Sequence, residues 1–118
     1  MRKLKRSECA VLHLGLKAHW YRMIESRQKC VEFREAKPYW QTRIVNWINR
    51  AFPEKTLVLE FQNGYGRFSP RMWFIAGNGC DHVLDFRKET DPVEHKSLGE
   101  FPKNRYCLFI GERVELED

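Results

Sequence analysis

The stretch Arg27-Gln28-Lys29-Cys30-Val31-Glu32-Phe33-Arg34 governs how the rest of the chain is read. Ser26-Arg27-Gln28 predicts a turn, and Lys29 through Glu35 predicts a strand. Alternation puts Val31 and Phe33 on one face of that strand, and Glu32 and Arg34 on the other. A carboxylate and a guanidinium two residues apart on one face can form a structural ion pair. With a nearby ammonium they can instead hold a phosphate, polarise a carbonyl or move a proton. Strict alternation places Lys29 opposite Glu32. Either a bulge intervenes, or Lys29 belongs to the turn and reaches round.

Working outward, Ala10 to Leu14 predicts a first strand. Leu16, Trp20, Met23 and Ile24 then make one apolar stripe on a short helix, with His19, Arg22 and Glu25 facing water. Downstream, Pro38 suits a first helical turn. Trp40, Ile44, Trp47, Ile48 and Ala51 repeat at helical spacing until Phe52-Pro53. Thr56 to Gln62 alternates, with Leu57, Leu59 and Phe61 inward, and Asn63-Gly64 marks a turn. Met72 to Ala76 and His82 to Phe86 predict two further strands around Gly77-Asn78-Gly79, and residues 88–104 are polar and irregular. Tyr106 to Ile110 is apolar on both faces and predicts a buried strand that Val114 and Leu116 continue. The order β-α-β-α followed by several short strands predicts an α+β fold, a small and partly open β-barrel of about five to six strands with two short helices.

The 118 residues fit one domain over 1–118. Charge is uneven: residues 1–55 hold 13 Lys and Arg against 5 Asp and Glu, and residues 56–118 hold 8 against 11. A basic half attracts polyanions, or simply keeps the surface solvated. Cys9, Cys30, Cys80 and Cys107 form no CxxC pair and read as buried free thiols, with Cys30 and Cys107 in apolar segments. His13, His19, His82 and His95 are scattered, so no metal site, cofactor or nucleophilic triad is expected. The basic start MRKLKRSEC lacks an apolar signal core, and no apolar run suits a membrane span, so a cytoplasmic, membrane-free protein is expected.

The motif stretch resembles the signature of the ASCH family, a PUA-like group: glycine, any residue, lysine, two of any, glutamate, any, arginine. Lys29, Glu32 and Arg34 match in type and spacing, while Arg27 stands at the glycine position. There the turn either avoids a positive φ or tolerates the strain. The order of strand, helix, motif strand and Lys37-Pro38-Tyr39-Trp40 helix is similar to the family's, and residues 105–114 look like its closing barrel strand. The resemblance implies a PUA-like barrel, an RNA or nucleotide partner and a solvent-accessible cleft where Lys29, Glu32 and Arg34 converge.

Tyr39 lies off the helix's apolar stripe and can stack on a base, whereas Trp40 fits the stripe and reads as core. Tyr65, Arg67 and Phe68, with Arg71 beyond, interleave rings and cations in a Gly-containing loop. That pattern suits single-stranded nucleic acid or plain loop packing. Three functions follow. The first is RNA or nucleotide binding through Lys29, Glu32, Arg34, Tyr39, Tyr65 and Arg67. The second is a hydrolase, a ribonuclease or an acetylcytidine amidohydrolase, with Lys29 and Glu32 catalytic. Amidohydrolase relatives place a nucleophilic threonine where this chain has Glu32. The third is a protein-interaction module. A monomer or weak dimer is expected.

Overall fold

The computed structural model describes residues 1–77, 83–88 and 104–118. Its longest strand is β7 (Arg105–Glu117), whose apolar run carries it through the middle of the sheet. The first half of β7 is flanked by β3 (Val31–Glu35) and β6 (Leu84–Arg87), both antiparallel. Its second half is flanked by β5 (Arg71–Ala76), antiparallel, and β1 (Arg2–Lys5), parallel. The partners change at a bulge. Phe74 opposes Arg113 while Ala76 opposes Ile110, so β7 holds one extra residue there. Gly111 occupies the bulge, and a Cβ on it would sit 2.3 Å from the Gly77 carbonyl oxygen and 2.8 Å from that of Ile75. Only glycine lets the two backbones approach this closely.

β4 (Thr56–Asn63) pairs with β5 and, in parallel, with β2 (Cys9–Leu16). The result is one connected seven-stranded mixed sheet, which does not close among the described residues. The expected five to six strands omitted β1, where Leu4 is the one apolar residue in Arg-Lys-Leu-Lys and backbone pairing to β7 supplies the order. A single-turn 3-10 helix (Arg6–Glu8) joins β1 to β2.

Two helices pack on this sheet, as expected. α1 (Ala18–Glu25) buries Tyr21 and Ile24. The stripe predicted from Leu16 is corrected: Leu16 ends β2, and Tyr21 takes a core place. Burial, helped by Glu25, pushes the Tyr21 hydroxyl up from its usual pKa. α2 (Pro38–Ala51) buries Ile44, Trp47 and Ala51, while Ile48 is exposed. Leu12, Leu14, Leu59, Phe61, Phe74 and Leu108 meet these helical residues in one core. On β7's other face, Cys107 packs against Val31 and Phe33. Cys9 and Cys107 are buried, but Cys30 is exposed, because it lies in the turn before β3. Cys80, His82, His95 and most of the predicted 88–104 segment lie outside the described residues.

β2 is the sheet's edge, and α2 caps it. Trp47 Nε1 donates to the Ala10 carbonyl at 2.8 Å, Arg50 Nη2 to Val11 at 2.9 Å and Arg43 Nη2 to His13 at 2.9 Å. Arg43, Trp47 and Arg50 share one helix face, so three edge carbonyls gain donors from one element. β4 is more buried than its alternation suggested. Glu60 and Gln62 are buried beside Leu59 and Phe61. Glu60 lies in register between His13 and Trp73 on the flanking strands. His13 Nδ1 is 2.7 Å from its Oε1, and Trp73 Nε1 donates to its Oε2 at 2.6 Å. Burial would raise this carboxyl's pKa, but the His13 and Trp73 hydrogen bonds outweigh it, and the net shift is downward.

Two outcomes follow. Gly111→Ala forces backbone against backbone and should lower stability by about 1–3 kcal/mol or more, read by urea unfolding. Glu60's depressed pKa gives stability that is present above the ordinary carboxylate range and lost as pH falls through the folded value. Trp73→Phe should move that acid loss to higher pH, checked by thermal unfolding across pH 3–7.

Candidate functional site

β3 brings Glu32 to the end of the sheet where β2 finishes and both helices begin. The turn before it resolves the question of Lys29. The strand starts at Val31, and Lys29 stands in the turn with its amide bonded to the Met23 carbonyl at 3.0 Å. From there its side chain reaches round to Glu32, and Nζ to Oε1 is 2.9 Å. Arg27 in the same turn has φ 66°, the conformation a glycine adopts most easily. The strain is tolerated because its guanidinium donates to the Ile110 carbonyl at 3.3 Å and lies 5.1 Å over the Phe74 ring.

Lys29 is 5% exposed and Glu32 3%. The charged pair is thus a nearly buried floor. Glu32 Oε1 also accepts the Phe33 amide at 2.9 Å and lies 3.5 Å from Arg34 Nη1. Arg34 is anchored by donating to the Phe33 and Gly15 carbonyls at 2.9 and 3.2 Å. Oε1 is therefore saturated, whereas Oε2 is buried with no hydrogen-bond partner among the described residues. A buried acceptor left so costs about 1–3 kcal/mol.

Above this floor is a cavity of about 730 Å³. Lys29, Glu32, Arg34, Tyr39 and Tyr65 all line it; Arg67 does not. Arg67 is exposed with its guanidinium 5.4 Å over Phe68, a local loop contact. Lining residues that the motif did not indicate are Trp20, Trp40, Lys17 and Lys37. Trp20 is half-buried, with Lys29 Nζ 4.8 Å from its ring centre. Trp40 packs on the core as expected, but it also faces the cavity between two guanidiniums, Arg34 at 5.0 Å and Arg43 at 4.9 Å. Tyr39 and Tyr65 are exposed at the rim, 63% and 87%. Tyr65 rests on Gly15, whose missing Cβ would stand 2.9 Å from the ring.

Lys17 and Lys37 are the N-cap residues of α1 and α2, and neither side chain caps its helix. Both helices thus turn their positive ends and unfilled N–H groups toward the cavity rim. Its lining cations are Lys17, Lys29, Arg34 and Lys37, against Glu32 and Glu35. Glu35 is engaged by Lys37.

Among the described residues no group of three or more His, Cys, Asp or Glu could hold a metal ion, and no helix is long and apolar enough to cross a membrane. No protein-family model matches the chain, and neither a curated protein nor a solved structure does. Fold and site together define an α+β domain with an aromatic-walled cavity over a buried Lys–Glu–Arg cluster.

Removing one member of a buried pair leaves the other uncompensated. Lys29→Met should therefore destabilise by about 3–5 kcal/mol, and Lys29→Met with Glu32→Leu by much less. Chemical denaturation of both single variants and the double variant checks this.

Proposed function

We propose that the chain is an ASCH-like, PUA-like domain that binds RNA or a nucleotide in the cavity of Lys29, Glu32 and Arg34, its sheet being the wall of a partly open barrel. One juxtaposition carries the reading: a buried carboxylate oxygen with no donor among the described residues, beneath aromatic walls and a cationic rim. A nucleotide supplies the complement of each part. Its base offers N–H donors to a carboxylate and a flat face to Tyr39, Tyr65 or Trp40. Its phosphate suits Lys17, Lys37 and the two helix N-termini. Glu32 Oε2 is buried, so the base reaches it by moving a neighbouring side chain.

The test is fluorescence anisotropy with nucleotides and single-stranded RNA at two salt concentrations. Binding should weaken with salt, with a slope of roughly 0.7 in log K per displaced counterion. Tyr39→Ala and Tyr65→Ala truncate exposed rings, so folding survives while binding should weaken by about 1–3 kcal/mol where a base stacks. No binding at low salt, or salt-indifferent binding, overturns the proposal.

The 2.9 Å contact of Lys29 with Glu32 favours one second reading, a hydrolase. Oε2 would take a proton from water, and Lys29 would steady the negative charge that develops on the attacked group. The threonine nucleophile of the amidohydrolase pattern is absent here. Turnover of acetylated cytidine or mixed RNA, followed by chromatography, should vanish in Lys29→Ala if this reading holds.

A further inference from the structure

A second cavity, of about 270 Å³, lies at the other end of the β2 edge. Arg6, Arg50 and Lys55 line it together with Cys9, Ala10 and Val11. Among the described residues no carboxylate lines it. Glu8 is the acid beside it: burial first, then Glu8, pushes the Cys9 thiol up, while Arg6 and Lys55 oppose. Lys55 has no side-chain hydrogen bond or ion pair among the described residues. Arg6 pairs with Asp118, whose side chain is 96% exposed, and such a pair is weak and exchangeable.

The two cavities share one strand edge. The larger touches β2 at Gly15 and Leu16, and the smaller touches it at Cys9 to Val11. Val11 to Gly15 spans four residues, about 13 Å of strand. Arg43 and Arg50 stand between, two helical turns or about 10 Å apart on α2. Arg43 faces the first cavity's rim, 4.9 Å from Trp40 and 5.6 Å from Tyr39, and Arg50 lines the second. Neither has a carboxylate partner among the described residues. Arg50's one side-chain bond, to the Val11 carbonyl, leaves most of its N–H donors unused. The edge is therefore a line of uncompensated cations joining an aromatic cavity to a basic one.

We infer that the second cavity is a backbone-phosphate subsite, and that a single RNA strand runs from the first cavity along the α2–β2 seam past Arg43 to Arg6, Arg50 and Lys55. The inference rests on the nucleotide reading of the first cavity and extends it. A base placed in that cavity must be unpaired, so the strand is single. Two guanidiniums, one of them in an exchangeable exposed pair with Asp118, and an ammonium at this spacing take phosphates without reading sequence.

The experiment compares a nucleoside monophosphate with a single-stranded RNA of about six nucleotides, within the range that small single-strand binding folds cover. Wild type should bind the oligomer more tightly and with a steeper salt dependence. Lys55→Gln, which breaks no hydrogen bond, should lower the oligomer's slope of log K against log salt by roughly 0.7. Adding Arg6→Gln should lower it further. Both variants should leave monophosphate affinity unchanged. The inference is overturned if the oligomer's slope is unaffected, or if oligomer and monophosphate affinities fall together. A monophosphate that binds wild type as tightly as the oligomer does also overturns it, while the first cavity's reading survives. Failure of both ligands to bind wild type sinks that reading and the inference with it.

Discussion

β7 must serve two sets of neighbours, and a bulge at Gly111 makes this possible. Before the bulge its backbone groups go to β3 and β6; after it they go to β5 and β1. The first half of β7 is buried or half-buried on both faces, and a backbone donor or acceptor left unpaired there would cost about 1–3 kcal/mol. Bending is therefore confined to one extra residue that has no side chain. The position of β3 follows from that bend, and Glu32 rides on β3 opposite Leu108. The cavity floor is thus fixed by the same register that completes the core.

Two buried carboxylates show how differently one fold can treat the same group. Glu60 has a donor for each oxygen, His13 on one strand and Trp73 on the other. It is a closed arrangement within the sheet. Glu32 crowds Lys29, the Phe33 amide and Arg34 onto Oε1 and leaves Oε2 without a partner among the described residues. Burial of a charge is tolerated when its lone pairs are filled. The two carboxylates thus differ in how evenly their oxygens are satisfied among the described residues.

The edge of β2 links stability to the candidate site. Trp47, Arg43 and Arg50 of α2 fill three of its carbonyls, and Arg34 fills a fourth at Gly15. Covering an edge this way prevents pairing with another chain. It also spreads guanidiniums in a row without engaging all their donors. Arg34 and Arg43 hold Trp40 between them, so the helix cap and the cavity wall share side chains. Moving α2 would disturb both.

The sequence alone determined what local pattern can determine. Periodicity marked both helices and most strands, since 3.6- and 2-residue repeats arise from the backbone itself. The spacing of Lys29, Glu32 and Arg34 marked the cluster that meets at the cavity floor. β1 escaped because one leucine among three cations carries no pattern, and Cys30 was misread because its apolar neighbours belong to a strand it precedes. Tertiary structure decided the rest. Only packing could show that Trp20 and Trp40 face the cavity as well as the core, that Arg67 stands apart, or that the sheet does not close among the described residues. It alone showed that His13, Glu60 and Trp73, far apart in the chain, fall into register on three adjacent strands. Such relations depend on which strands pair and at what offset, and register is set by the summed burial of both faces, a quantity no single segment contains.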